Sequence, residues 1–202
     1  MWGLVESGSI TKIINKPRGM VIGDTRHSRK IFELWSKSEL EAKGIYEVEF
    51  DNTNKKDEQW YINTNQSFAF ADGKITASYG TATAKAHADT LFTAQDETDG
   101  LGTEGEVKTR GLKYHLIQNI KKQAAGILQE TDWYITRKAD AGTAVPSAIT
   151  THRAAVRTKA ASQETQITNA ADTPALETLY KYTKQEDGSI TRPLGELPRL
   201  ES

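Results

Sequence analysis

The chain has 202 residues, of which 37% are hydrophobic, with 26 basic and 27 acidic side chains and no cysteine. This balance gives no global pull toward nucleic acid or an anionic membrane, and the missing cysteine removes disulfides, thiolate metal sites and a cysteine nucleophile. Mean hydropathy is −0.61 and no apolar run approaches the ~20 residues of a membrane span, while Met1 to Glu6 lack the charged start and apolar stretch of a signal peptide.

Trp2, Trp35, Trp60 and Trp133 carry much of the buriable area. The expectation is a thin core, or one completed by neighbouring subunits. Residues 1–88 read as a β-rich domain. Ser9 to Ile14 and Met20 to Ile22 are short apolar pieces divided by the turn signal Lys16-Pro17-Arg18-Gly19. Ile31 to Trp35 is an apolar knot. A short helix follows, with Ser36 or Ser38 as its cap, Glu39 and Glu41 near its positive end, and Gly44 just past its last residue. Ile45 to Phe50 alternates acid with apolar residue, the pattern of a half-buried strand. Asp51 to Asp57 is a polar loop. Trp60, Ile62, Phe68 and Phe70 fall at period two, Ala71 to Lys74 is a hairpin turn, and residues 58–80 read as one hairpin.

Residues 89–106 carry only acidic charge and hold Gly100, Gly102 and Gly105, which reads as a linker. From Val107 the period changes. Leu112, Leu116, Ile117, Ile120, Ala124, Ile127 and Leu128 mark an amphipathic helix, with Glu104 and Glu106 placed near its N-terminus. A second helix runs from Pro146 to about Thr168 with Ile149, Val156 and Ala160 as its apolar face. A third begins at Asp172-Thr173-Pro174, with Thr173 as cap and Leu176, Leu179 and Tyr180 inward. The helical domain spans 107–184, and 185–202 reads as an extended tail. The fold class is α+β: a β-rich domain with one hairpin and one short helix, then a helical hairpin or small helical bundle.

Motifs for catalysis, cofactors and metals do not emerge. His27, His87, His115 and His152 show no metal-ligand spacing, and GxGxxG, GxxxxGK[ST] and GxSxG are absent. Asp51, Asn52, Asn54 and Asp57 lack the central glycine and spaced glutamate of a calcium loop, so a solvated turn is expected. Glu47 and Glu49 have no opposing base and are assigned to solvent. The expectation is no catalytic, cofactor or metal site.

One stretch carries a resemblance. Leu128 to Trp133 reads L-x-x-T-D-W, followed by Arg137, Val145-Pro146, Ile149 and a helix with Arg153 and Arg157. This resembles the C-terminal module of phage tail fibre assembly and tail assembly chaperone proteins. His152 stands where that family often has Tyr, and Val156 where it often has Leu. The match covers about 30 of the 202 residues. Trp35 to Val48, a short helix ending in Gly44-Ile45 before a strand, is similar to an N-terminal piece of small phage tail proteins. The missing catalytic motifs point to a non-enzymatic protein, and the resemblance implies a structural component of a virion, such as a tail, baseplate or fibre-adaptor protein. Such a protein is assembled in the host cytoplasm and holds other tail proteins and copies of itself; the charge balance, the hydropathy and the absent motifs add the expectation of no cofactor, no nucleic acid and no membrane. The alternative it implies is a transient tail fibre assembly chaperone. On the residues themselves, Trp133 is expected to anchor the two long helices, with Arg153 and Arg157 facing carboxylates or backbone carbonyls. Trp133, Arg137, Pro146, Arg153 and Arg157 are the interface candidates.

Overall fold

The computed structural model describes residues 1–64 and 66–200. The chain is α+β and divides into two compact units, Met1–Thr83 and Ala84–Ser202. Among the described residues no helix is long and apolar enough to cross a membrane.

The first unit is built on β1 (Trp2–Glu6), β2 (Ser9–Ile14), β3 (Met20–Ile22), β4 (Thr25–His27), α1 (Ile31–Leu34), α2 (Lys37–Ala42), β5 (Ile45–Asp51), β6 (Tyr61–Ile62), β7 (Ser67–Ala71) and β8 (Lys74–Ser78). β9 (Thr83–Ala84) pairs with β6 where the unit ends. Five strands form one sheet in the order β2-β1-β5-β8-β7, and β3 pairs separately with β4. The β5–β8 pair is parallel; the other pairs in the large sheet are antiparallel. The sheet curls until its two edge strands, β2 and β7, approach one another.

Each face of this sheet covers its own core. Leu4, Ile14 and Ile45 pack with Met20, Ile31 and Leu40, under Trp2, Phe32 and Trp35. Val48, Ile75 and Ala77 form the second cluster with Val5, Ile10, Tyr46, Phe68 and Phe70. A bulge makes this division work. Leu4 pairs with Lys12 but Val5 pairs with Ile10, which leaves Thr11 as an extra residue. One extra residue reverses the facing of everything beyond it, so Ile10 joins Val5 while Ile14 joins Leu4. β5 follows its expected alternation only in part. Glu47 and Glu49 are exposed and Tyr46 and Val48 point into one cluster, but Ile45 is buried in the other.

The short helix forms as expected. Ser36 accepts from the Glu39 amide while Glu39 accepts from the Ser36 amide, a reciprocal cap that also holds the Glu39 carboxyl below its ordinary range. The expected hairpin over 58–80 is shorter: the ladder runs only from Ser67 to Ser78, turned by Asp72 and Gly73, both at positive φ. Trp60 is buried and Ile62 exposed, and β6 pairs with β9 rather than with the return strand. Asn65, inside that expected hairpin, lies outside the described residues.

The second unit contains β10 (Thr90–Leu91), α3 (Ala94–Thr98), β11 (Val107–Thr109), α4 (Leu112–Gln129), α5 (Asp132–Ala141), α6 (Ser147–Asn169), α7 (Thr173–Tyr180), β12 (Thr183–Lys184) and β13 (Ile190–Thr191). Residues 89–106 are not a bare linker. Thr93 and Asp96 cap α3 reciprocally, and the Phe92 and Gly105 amides bond across the loop to Glu106 and Phe92. Lys108 pairs with Asp96, and with the Thr93 bonds this pulls the Asp96 carboxyl down to about 2. The acidic side chains that suggested a solvated chain are the ones that close the motif. The first long helix starts at Leu112 rather than Val107. Its first free amide, at Gly111, is taken by Asp89 at 2.8 Å, not by Glu104 or Glu106.

α6 packs against α4. Its buried residues are Ile149, His152, Arg153, Val156, Ala160, Gln163 and Ile167, so three polar side chains complete the apolar face read from the sequence. The spacing 149, 153, 156, 160, 163, 167 alternates four and three, a seam of coiled-coil type. α7 is capped by Asp172, whose carboxylate accepts from the Ala175 amide. Thr173, expected as the cap, is buried and donates to the Lys85 carbonyl. The expected extended tail folds back. Residues 183–191 make the β12–β13 hairpin, Leu194 is fully buried, and the Gln163 amide donates to the Gly195 carbonyl at 2.9 Å.

A candidate interaction surface

The residues singled out in the sequence sit at the junction of α4, α5 and α6. α4 ends at Gln129 and α5 begins at Asp132, so the chain turns within two residues and leaves carbonyls of α4 without helical partners. Leu128 is the carbonyl that matters. It accepts from the Thr131 amide at 3.1 Å, from the Thr131 hydroxyl at 3.0 Å and from Arg153 Nη1 at 2.6 Å. The same Nη1 donates to Thr131 Oγ1 at 2.7 Å and pairs with Asp132 at 2.9 Å. Arg153 is 8% exposed and Thr131 2%, so this cluster is part of the interior. A buried guanidinium is tolerated because acceptors surround it on one side and Asp132 supplies the counter-charge.

Trp133 has a different place from the one expected. It is not the anchor between the two long helices but is 51% exposed, and α5 has no buried residue at all. Its ring lies 3.8 Å from that of Tyr134 at an interplanar angle of 32°. The Arg137 guanidinium stands one turn on, 4.7 Å from the Trp133 ring and 5.5 Å from the Tyr134 ring. Ile135 adds a further exposed apolar side chain at 43%. Arg137 Nε is shielded from solvent and has no hydrogen-bond partner among the described residues. The pinning that Trp133 was expected to provide comes from Arg153 and Thr131. The signal was in the sequence, since Thr131 and Arg153 both lie in the Leu128–Arg157 stretch, but which member would be inside was not.

Pro146 occupies the cap position of α6 and is exposed. Arg157, one turn after Arg153, is exposed as well, so the two arginines of the motif part company. Gly142 ends α5 in the left-handed region at φ 68°, and its amide bonds to Lys138.

Elsewhere several carboxylates are held by local partners. Asp51 accepts from the Thr53 amide and hydroxyl, which lowers its pKa and makes the 51–57 loop a hydrogen-bonded turn. Glu49 pairs with Lys74. Among the described residues no three His, Cys, Asp or Glu side chains converge to hold a metal ion. An open groove of about 1170 Å³ lies between α4 and the C-terminal segment, bordered by Glu130, Tyr182, Arg192, Glu196 and Arg199. Within it Arg192 and Tyr182 both bond to Glu196, so its central charges face one another.

Exposed Trp133, with half-buried Tyr134 and Arg137 against it, has the composition of a binding hot spot: large rigid rings and an arginine, presented on one helix. Comparison with protein-family models, with curated proteins and with solved structures finds no match to this chain.

Proposed function

We propose that this protein is a non-enzymatic structural component of a bacteriophage virion, a tail, baseplate or fibre-adaptor protein that works through protein–protein contacts. The reading rests on the resemblance of residues 128–157 to phage tail assembly modules. The observation that supports it physically is exposed Trp133, stacked with half-buried Tyr134 and Arg137, on a helix with no buried residue. An isolated chain gains nothing by exposing a tryptophan, whereas a partner that covers it removes a large apolar area from water. On this reading Arg153 holds α5 in position and α5 meets the neighbouring virion protein. Copies of the chain occupy repeated positions in the particle.

Quantitative mass spectrometry of purified virions tests this. The protein is expected in fixed stoichiometry with the tail proteins. If it co-purifies with an immature tail protein and is missing from mature particles, the assembly chaperone reading replaces it. The L-x-x-T-D-W motif is what motivates that second reading, because the family it resembles includes tail assembly chaperones.

A further inference from the structure

A near-zero net charge conceals a local excess. Between Lys16 and Lys30 the chain carries five cations, Lys16, Arg18, Arg26, Arg29 and Lys30, against one carboxylate, Asp24. The fold gathers them. Met20 pairs with His27, Val21 with Arg26 and Ile22 with Thr25, so β3 and β4 form one small hairpin. Its inner face is set by Met20, which is buried in the core with Ile22 packed beside it; Val21 and Arg26 therefore point outward together. Gly19 lies so close to the other strand that an added Cβ would stand 3.3 Å from the His27 carbonyl and 4.0 Å from the Arg29 amide. That close approach brings the Lys16–Arg18 turn beside Arg29 and Lys30 at the open end of the hairpin. All five cations are exposed, and among the described residues none of them enters an ion pair.

We propose that the β3–β4 hairpin and its two flanking turns bind the phosphate backbone of nucleic acid, with double-stranded DNA as the ligand, without reading its sequence. The choice of partner follows from where exposed cations gain free energy. Paired with carboxylates on a protein surface, each contributes only about 0–1 kcal/mol, because solvent screens the pair. Against a duplex, each contact releases condensed counterions, and the gain accumulates with the number of phosphates met. Val21 is the one exposed large apolar side chain on the hairpin, too little to drive docking on a protein or insertion into a membrane. The surface offers position on a polyanion and little else. This proposal is independent of the virion reading.

The test is fluorescence anisotropy of the full chain with two unrelated duplexes of about 30 base pairs, at about 50 and about 200 mM salt. Both duplexes bind equally at low salt, and five phosphate contacts give a loss of roughly 10²–10³-fold at the higher salt. Replacing Arg18, Arg26 and Arg29 together by Ala lowers the slope of log affinity against log salt by about 2.7 and weakens low-salt binding at least tenfold. Circular dichroism checks that this variant is folded. A control with the same loss of charge elsewhere, Lys122→Ala, Lys181→Ala and Lys184→Ala, keeps its slope. The proposal is overturned by no binding at low salt, by an unchanged slope in the arginine variant, or by an equal loss in the control. Tighter binding to phosphatidylserine vesicles or to polyglutamate than to the duplex overturns it too.

Discussion

The guanidinium of Arg153 donates to the carbonyl of Leu128 at 2.6 Å, so a cation carried by α6 terminates α4. Through Thr131 and Asp132 the same group fixes the first turn of α5. One side chain therefore sets the relation of three helices, and the orientation of the exposed cluster on α5 depends on it.

Removing that group has a cost set by what it leaves behind. Arg153→Ala strips the Leu128 carbonyl and the Thr131 hydroxyl of their strongest donor in a buried site. It should destabilise the second unit by about 2–4 kcal/mol, read as a lower denaturation midpoint. Hydrogen exchange in α5 should accelerate first. Arg153→Lys should recover only part of the loss, since an ammonium on a flexible stem does not reproduce the planar fork. A stability unchanged within about 0.5 kcal/mol in the alanine variant would show that the cluster is incidental.

Trp133→Ala separates folding from binding. Half of this side chain is already in water, so the variant should lose less than about 1 kcal/mol of stability. If α5 meets a partner, incorporation into particles should fall at least about tenfold, the loss of one hot-spot aromatic. Normal incorporation would remove α5 from the interface. A large fall in stability would mean that Trp133 is structural.

Gly44 tests the link between helix and sheet. It sits at φ 77° after α2, its carbonyl accepts from the Val5 amide at 2.8 Å, and a Cβ there would run into the Val5 carbonyl. Gly44→Ala meets both the left-handed backbone penalty and the clash, and should cost at least about 1–2 kcal/mol. The measurement is the urea midpoint of the first unit. A neutral result would mean that β1 and β5 shift apart freely.

Asp96 provides a pH test. Its carboxyl is pulled down to about 2, first by Lys108 and then by the amide and hydroxyl of Thr93. A depressed carboxylate favours the folded form above its ordinary pKa of 3.8 and loses that contribution as pH falls through its folded value. The β10–β11 motif should therefore loosen between about pH 4 and pH 2. Carbon NMR titration of the Asp96 carboxyl should show the low midpoint, and Lys108→Gln should move it up. An ordinary midpoint in the unmodified chain would mean that the Lys108 contact is not maintained in solution.

What was legible in the sequence was local. The cap at Ser36 and Glu39, the turn at Asp72-Gly73, the left-handed glycine after α2 and the helical periods of α4 and α6 each depend on a few adjacent residues. The α+β class follows from those periods. Thr131, Trp133 and Arg153 were visible because they belong to the stretch that resembles a known module, not because their roles could be read from it.

Their roles were decided elsewhere. Neither the tryptophan two residues past Thr131 nor the arginine seven residues past Pro146 carries in its sequence position any information about which will be buried. Arg153 is inside because the carbonyl at the end of α4 lies within reach of its fork, while Trp133 is outside because α5 packs too lightly to cover it. The acidic run at 89–106 became a folded motif once Lys108 and Arg110, from beyond it, came back to pair with Asp96 and Asp89. Gathering of the Lys16–Lys30 cations into one surface likewise needed the hairpin and the close approach at Gly19. Short-range sterics and hydrogen bonding write the elements. Desolvation, which depends on neighbours distant in the chain, decides which polar and aromatic side chains are left to face a partner.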